Sequence, residues 1–509
     1  MAWRRSIINL RREFNGHMGD GFSILNYCVL FAYLAGMVGI GALFAGRQKT
    51  TEEFFLAGRR MPWLIVGMSM FASLTSASTY IGVPAFAYSH NTAIFYGVLI
   101  SPVVAPVLIL LFYPFYRRLN VTTSYEYIEA RFGRETRLMV SGLFVLSRIA
   151  WLGVVIYGPA LALSVAADIP LTTAILLMGV LATAYAALGG LAAVLWTDAV
   201  QFVILVGGAV WVAAALAGDV GGGLAEIVRV GLADGHITRP SMRLSLFEMT
   251  AVGATLSWFF VFLHDYGADQ VTVQRLMATP DLRSSARAVV FNAVSDVVIN
   301  GLLLFIGVAL YVFYRGRPGA LPEGINGDRI MPFYIMQNLP DGVSGLIITA
   351  VFAAAMSSMD SGVNSVATVI VKDFVQPLRG RAAAESADVA LARVLTLLLG
   401  AAATGAAFYA ARIGSIIEAW SSFMSLFAGP ILAVFLLGML WRNINILGWV
   451  MGCFVSVAGT FYIQTQTQVI WFYYLPISFG LCFAVGLAAG KILPSRPAAE
   501  GTTVQWPWG

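Results

Sequence analysis

This sequence predicts an all-α polytopic membrane protein with about 13 transmembrane helices, and three observations carry that reading. Of the 509 residues, 59% are apolar and 11% charged, and mean hydropathy is +0.80. Soluble domains run roughly 45–50% apolar and 25% charged. Apolar runs of about 20 residues, the length that crosses a hydrocarbon core, recur along the whole chain. Lys and Arg gather in alternate breaks between them, as they do in cytoplasmic loops. A soluble multidomain enzyme, a disordered chain and a nucleic-acid binder are excluded. Cys28, Cys453 and Cys482 all fall inside apolar runs, which leaves neither a disulfide framework nor a Cys-type metal site.

In chain order the runs are 22–46, 62–88, 93–116, 137–165, 171–188, 191–217, 247–268, 288–313, 343–371, 388–411, 414–440, 444–464 and 468–490. The tail 1–21 carries Arg4, Arg5, Arg11 and Arg12, but the run after it is too long for a signal peptide and lacks a small-residue cleavage site. With the N-terminus outside and the C-terminus in the cytoplasm, the inner segments hold 19 Lys and Arg. The outer loops and the N-terminal tail together hold 11. The chain is expected in the plasma (inner) membrane as a multi-pass protein. The long outer segments 219–246 and 314–342 are candidates for lids or short surface helices.

Polar side chains at membrane depth are costly, so each is a functional candidate. The first stretch is Ser73-Leu74-Thr75-Ser76-Ala77-Ser78-Thr79-Tyr80, rich in hydroxyls and flanked by Gly67, Gly82 and Pro84. Such a stretch can unwind and offer backbone carbonyls, hard oxygen ligands for a small cation. The second runs from Ser357 to Thr368. At 100° per residue, Ser357, Ser358, Asp360, Ser361, Asn364, Ser365 and Thr368 share one helix face. That face must line a cavity, an ion site or another helix. The third group comprises Asp198, Arg148, His264, Asp265 and Asp296. Arg148 either binds substrate or pairs with Asp265, Asp360 or Asp296, and His264 alone reads as a satisfied buried imidazole. A Walker loop, a dinucleotide fingerprint and a zinc-spaced His pair are missing, and Gly221-Gly222-Gly223 reads as a turn.

Four stretches resemble the sodium:solute symporter family, which includes the bacterial sodium–galactose, sodium–proline and sodium–sialic acid symporters. They are Phe55-Leu56-Ala57-Gly58-Arg59-Arg60; Gly189-Gly190-Leu191 through Trp196-Thr197-Asp198; Asp269-Gln270 with Gln274-Arg275; and Ala353-Ala354-Ala355-Met356-Ser357-Ser358 with Asn364-Ser365. The resemblance spans about residues 22–490 and implies a LeuT-like core of two inverted five-helix repeats, 62–217 and 247–440. It also implies a peripheral helix at 22–46, two more across 444–490 and a cytoplasmic tail at 491–509.

The resemblance further implies a sodium site built from the carbonyls of Ala72, Thr75 and Ala354 and the hydroxyls of Ser357 and Ser358. A second sodium position maps to Asp198, Asp360 and Ser361, where Asp360 replaces a hydroxyl. Substrate would lie among Ser76, Ser78, Thr79, Arg148, His264, Asp265, Ser421 and Ser422. Ser78 and Thr79 stand where the galactose symporter has acidic and amide groups, so a sugar is disfavoured. An intramembrane Arg suits a carboxylate. The expected function is sodium-coupled import of a small organic anion, a monocarboxylate or sialic acid type, with sodium as coupling ion and no organic cofactor. The chain reads as no enzyme, with a small-molecule solute and the lipid bilayer as partners and no obligatory protein partner. The alternatives are a proton- or sodium-coupled carrier of a sugar or amino acid, and a transporter-like sensor.

Overall fold

The computed structural model describes residues 22–45, 50–186, 190–322, 325, 327–379, 385–412, 415–494 and 501–503. The tail 1–21, Gly189 and most of the segment 491–509 lie outside the described residues.

The principal helices are α1 (Ile24–Ala45), α2 (Trp63–Leu74), α3 (Ala77–Ser89), α4 (Ile94–Leu119), α5 (Arg134–Ala167), α6 (Leu171–Ala186), α7 (Leu191–Asp219) and α8 (Ala251–Gly267). There follow α9 (Gln270–Met277), α10 (Leu282–Arg315), α11 (Gly327–Asn338), α12 (Val343–Val369), α13 (Glu385–Ala410), α14 (Ile416–Leu440), α15 (Ile446–Gln466) and α16 (Tyr474–Ile492). Ten helices among the described residues are long and apolar enough to span a membrane, or eleven with α2 and α3 taken as one bent span. The other two expected runs are shorter helices, α6 with 16 residues and α8 with 17. The α8 run opens at Ala251 rather than at residue 247, because the Thr250 side chain caps the N–H of Gly253 at 3.1 Å. The two long segments 219–246 and 314–342 hold a helix each, Gly223–Ala233 and α11.

The run 62–88 is two helices bent by 58°. After Leu74 the Thr75 N–H still reaches Phe71 O at 2.8 Å, but the Ser76 N–H turns to Leu74 O at 3.1 Å. That turn takes from Ala72 O the N–H it would have had four residues on. Around this break α2 packs on α7, α10 and α12, while α3 packs on α5, α10, α11 and α12. The outer helix α1 docks through Asn26, whose Oδ1 accepts the N–H groups of Gly342 and Gly345 at 2.7 and 2.9 Å and so caps α12.

α15 and α16 lie backbone to backbone. A Cβ on Gly448 would sit 2.3 Å from Gly490 N, and one on Gly452 2.4 Å from Cys482 O. Gly448→Leu should therefore force these helices apart at an overpacking cost of about 1–3 kcal/mol. It is expected to lower the melting temperature in detergent, while Gly36→Leu, with no atom within 4 Å of the added Cβ, leaves it in place. Equal melting of both variants would remove the close approach as a source of stability.

Asp328 on α11 accepts the N–H of Ile416 at 3.2 Å, tying α11 to the start of α14. Burial pushes its carboxyl up from 3.8 to about 6. An acid raised on folding binds protons more tightly in the folded state, so stability present below the unfolded value is lost as pH rises through the folded one. Melting temperature should thus fall between pH 3.8 and about 6 through this group. Asp328→Asn should flatten that slope, and an unchanged slope would assign it elsewhere.

Candidate functional site

The polar face of α12 is buried along its length. Ser357 Oγ donates to Ala72 O at 2.6 Å and to Ala354 O at 3.1 Å, and Ser358 Oγ donates to Ser73 O at 2.9 Å. The carbonyls freed by the α2–α3 break therefore face two hydroxyls one turn from Ala354 O. Ala72, Ala354, Ser357 and Ser358 come together as a set of hard oxygens, the donor chemistry that suits an alkali cation. Thr75 lies beside them in the wall of the adjoining cavity, and Ser73 O joins the set.

Asp198, Asp360 and Ser361 also meet. Ser361 Oγ reaches Asp360 Oδ1 at 3.2 Å and Ser73 Oγ at 2.8 Å, and Ser73 Oγ lies 3.2 Å from Asp198 Oδ2. Ser69 Oγ donates to the same Asp198 oxygen at 2.5 Å. Arg275 of α9 completes the cluster. Its Nη2 lies 3.3 Å from Asp198 Oδ2 and bonds Ser361 Oγ, and its Nε donates to Ser69 Oγ at 2.9 Å. One guanidinium thus faces two carboxylates, and Asp198 Oδ1 and Asp360 Oδ2 are buried without a hydrogen-bond partner.

All eight residues of α9 are buried, and its polar side chains bind it to its surroundings. Gln270 Oε1 accepts the Ser124 N–H at 2.7 Å and its Nε2 donates to Thr122 O at 3.0 Å. Gln274 Nε2 donates to Phe55 O at 2.7 Å, Asn364 Oδ1 at 3.0 Å and Thr368 Oγ1 at 3.2 Å, and Ser365 Oγ donates to Gln274 Oε1 at 3.1 Å. The remaining hydroxyls and amide of the α12 face are thereby used in helix packing. Nearby, left-handed Ala57 and Arg59 at φ 50° and 54°, around Gly58, turn the chain so that Arg59 reaches Asn120 O and Val121 O at 3.0 and 3.1 Å.

A cavity of about 110 Å³ opens at the break. Ser76, Ser78, Thr79, Arg148 and Asp265 line it, and so do Asp296 and Asn300 of α10 and Trp151, Trp258 and Trp420. Ser78 Oγ is taken by Val154 O at 3.2 Å. His264 stands behind the wall with Nδ1 2.8 Å from Asp265 Oδ1, a satisfied imidazole beside a smaller space that Ser421 also lines. Ser421 donates to Trp471 O at 3.1 Å, and Ser422 lines neither space. The expected partner of Arg148 is corrected. It pairs with Asp269, because α8 stops at Gly267 and the break returns Asp269 toward α5, whereas Asp360 belongs to the Arg275 cluster and Asp265 and Asp296 line the cavity. Asp269 Oδ1 also caps α9 through the Val271 N–H at 2.7 Å. The Asp269…Arg275 motif was visible in the sequence, but the ion pairs at its two ends were not, since neither residue falls in an apolar run.

Residues 54–456 match the model of the sodium:solute symporter family. The chain is 32% identical over 458 residues to the sodium/sialic acid symporter NanT of Aliivibrio fischeri, covering 89% of this chain and 90% of that protein. It is likewise 32% identical over 479 residues to the sodium/sialic acid symporter SiaT of Proteus mirabilis, covering 93% and 97%. A solved structure of a Na+-coupled sialic acid symporter, in its substrate-bound outward-open state, superposes with a TM-score of 0.87 at 30% identity and covers 94% of this chain and 100% of that one. The multi-pass, all-helical, LeuT-like architecture expected from the sequence is the fold of that symporter.

Removing Arg275 alone leaves Asp198 buried and uncompensated, a loss of about 3–5 kcal/mol. Arg275→Gln should therefore melt well below the native protein, and adding Asp198→Asn should recover part of the loss. Strictly additive losses would show that the two groups act independently.

Proposed function

The chain belongs to the sodium:solute symporter family, and from that membership we propose that it is a sodium-coupled carrier importing a small organic anion, of the monocarboxylate or sialic acid kind, by alternating access. Its work is transport and not catalysis, and its N-terminus lies outside with the C-terminus in the cytoplasm. One observation supports the anion above all. Arg148 lines the cavity with its Nε unpartnered, beside the start of α3, where Ser76 offers no side-chain cap to the first-turn N–H groups. A guanidinium and an open half-helix N-terminus together receive a carboxylate.

Sodium binds the oxygens of Ala72, Thr75, Ala354, Ser357 and Ser358, with a second position at Asp198, Asp360 and Ser361. A cation between α2 and α12 holds the broken span against α12, and so favours the state open to substrate. Such coupling is reciprocal, typically about 1–3 kcal/mol. Occlusion follows, the bundle then rocks, and Asp198 near the cytoplasmic exit helps sodium leave. Inward sodium gains about 2.3 kcal/mol per charge per 100 mV of membrane potential.

Uptake of radiolabelled carboxylates into proteoliposomes should require an inward sodium gradient, and a potassium gradient of equal size that served as well would overturn sodium coupling. Ser358→Ala should raise the sodium concentration needed for half-maximal uptake while the melting temperature changes little. Equal loss of both would make Ser358 a packing residue only. Arg148→Gln should abolish carboxylate uptake while sodium still shifts the melting temperature, and unchanged uptake would overturn the anion.

A further inference from the structure

The charges around the cavity do not balance for a simple anion. Arg148, Asp265 and Asp296 line the same space, and the Arg148 guanidinium is already paired from behind with Asp269. Ligand atoms of His264, Asp265 and Asp269 lie within 4.8 Å of one another. One guanidinium, that of Arg148, stands among three carboxyl groups, those of Asp265, Asp269 and Asp296. A bare monocarboxylate would add a further negative charge in a space about 110 Å³ in volume, where little water screens the repulsion.

Asp296 is the group left over. Its Oδ1 accepts from Asn300 Nδ2 at 2.9 Å, while its Oδ2 is buried without a hydrogen-bond partner. The cavity that it lines is largely aromatic: Trp258, Trp420, Phe262 and Tyr266 line it too. Trp151 lines it too, with the Arg148 guanidinium carbon 4.6 Å from its ring centroid. Aromatic faces with a carboxylate at one end are the chemistry that holds an organic ammonium. Arg148 and the start of α3, in the same cavity, are the chemistry that holds a carboxylate.

We propose that the transported solute is a zwitterion, carrying a protonated or quaternary nitrogen in addition to its carboxylate. The carboxylate meets Arg148 and the first turn of α3, and the nitrogen meets Asp296 among the tryptophan faces. The solute then enters without adding net charge to the cavity. This rests on the part of the proposed function that places a carboxylate at Arg148; it replaces the net anion by a net-neutral solute and adds a second recognition element on α10.

The test is a matched panel on the full-length purified chain in sodium: butyrate against 4-aminobutyrate, acetate against glycine betaine, with butylamine and tetramethylammonium as carboxylate-free controls. Dissociation constants come from calorimetry or from the ligand-dependent melting shift. Each zwitterion should bind at least roughly thirtyfold tighter than its carboxylate-only match, the scale set by leaving a buried charge unpaired. Asp296→Asn should reduce that preference to about threefold or less, and Asp296→Glu, which keeps the charge, should retain most of it. Equal or tighter binding of butyrate and acetate by the native chain would overturn the zwitterion while leaving the anion reading in place. Tight binding of the carboxylate-free amines alone would overturn both. A preference untouched by Asp296→Asn, or silence from the whole panel, would also overturn the proposal.

Discussion

A hydrocarbon core offers no water to a backbone, so every carbonyl that a helix gives up there must find another partner. The break at Thr75–Ser76 gives up carbonyls, and much of the surrounding polar structure answers it. Ser357 and Ser358 must stand on α12 opposite Ala72 and Ser73, which fixes the rotation of α12 about its own axis. With that rotation set, Ser361 and Asp360 turn toward α7, and Asn364, Ser365 and Thr368 turn toward α9. The same break aims α3 so that Ser76, Ser78 and Thr79 border the cavity. The buried oxygen set on α12 and the cavity are thus both arranged around one interrupted helix.

The fold was legible because length and hydropathy measure the membrane directly. Twelve of the thirteen expected runs coincide with a single helix, allowing for kinks, and the run 62–88 with two. Even the break could be read, from a cluster of hydroxyls no lipid-facing helix would carry. The face of α12 was legible for the same reason, because the 100° repeat places its oxygens in one arc whatever they touch. What the arc could not say was how its members divide. The upper hydroxyls meet freed carbonyls and the Asp198 cluster, while the lower ones serve Gln274.

Pairings between distant segments were legible only as possibilities. Arg148 had three acidic residues within apolar runs to choose from, and its partner came from outside them all. Asp269 and Arg275 sit beyond the apolar part of α8, where a sequence reading expects a loop. Nothing in hydropathy shows that α9, an eight-residue helix with four polar side chains, lies wholly buried. Its stability comes from tertiary bonds at Gln270, Gln274 and Arg275, which local propensity does not register. Ser421 and Ser422 failed to join the cavity for a simpler reason, since successive helical residues point 100° apart and the Trp471 carbonyl engages Ser421.

The buried pair of Asp198 and Arg275 has a consequence for how the chain is made. The two residues are 77 positions apart. At about 5–20 residues per second, α7 emerges from the ribosome roughly 4–15 s before its counter-charge exists. A lone carboxylate at the centre of a newly inserted helix costs about 2.5–3.5 kcal/mol, and Asp198, two turns in from the start of α7, carries a part of that cost. The nascent helix must bear that cost with Ser69 and Ser73 of α2, already synthesised, as its hydrogen-bond donors. The serines of α2 precede Asp198 in the chain and Arg275 follows it, so the two neutral donors of this carboxylate are made before it and its counter-charge after it.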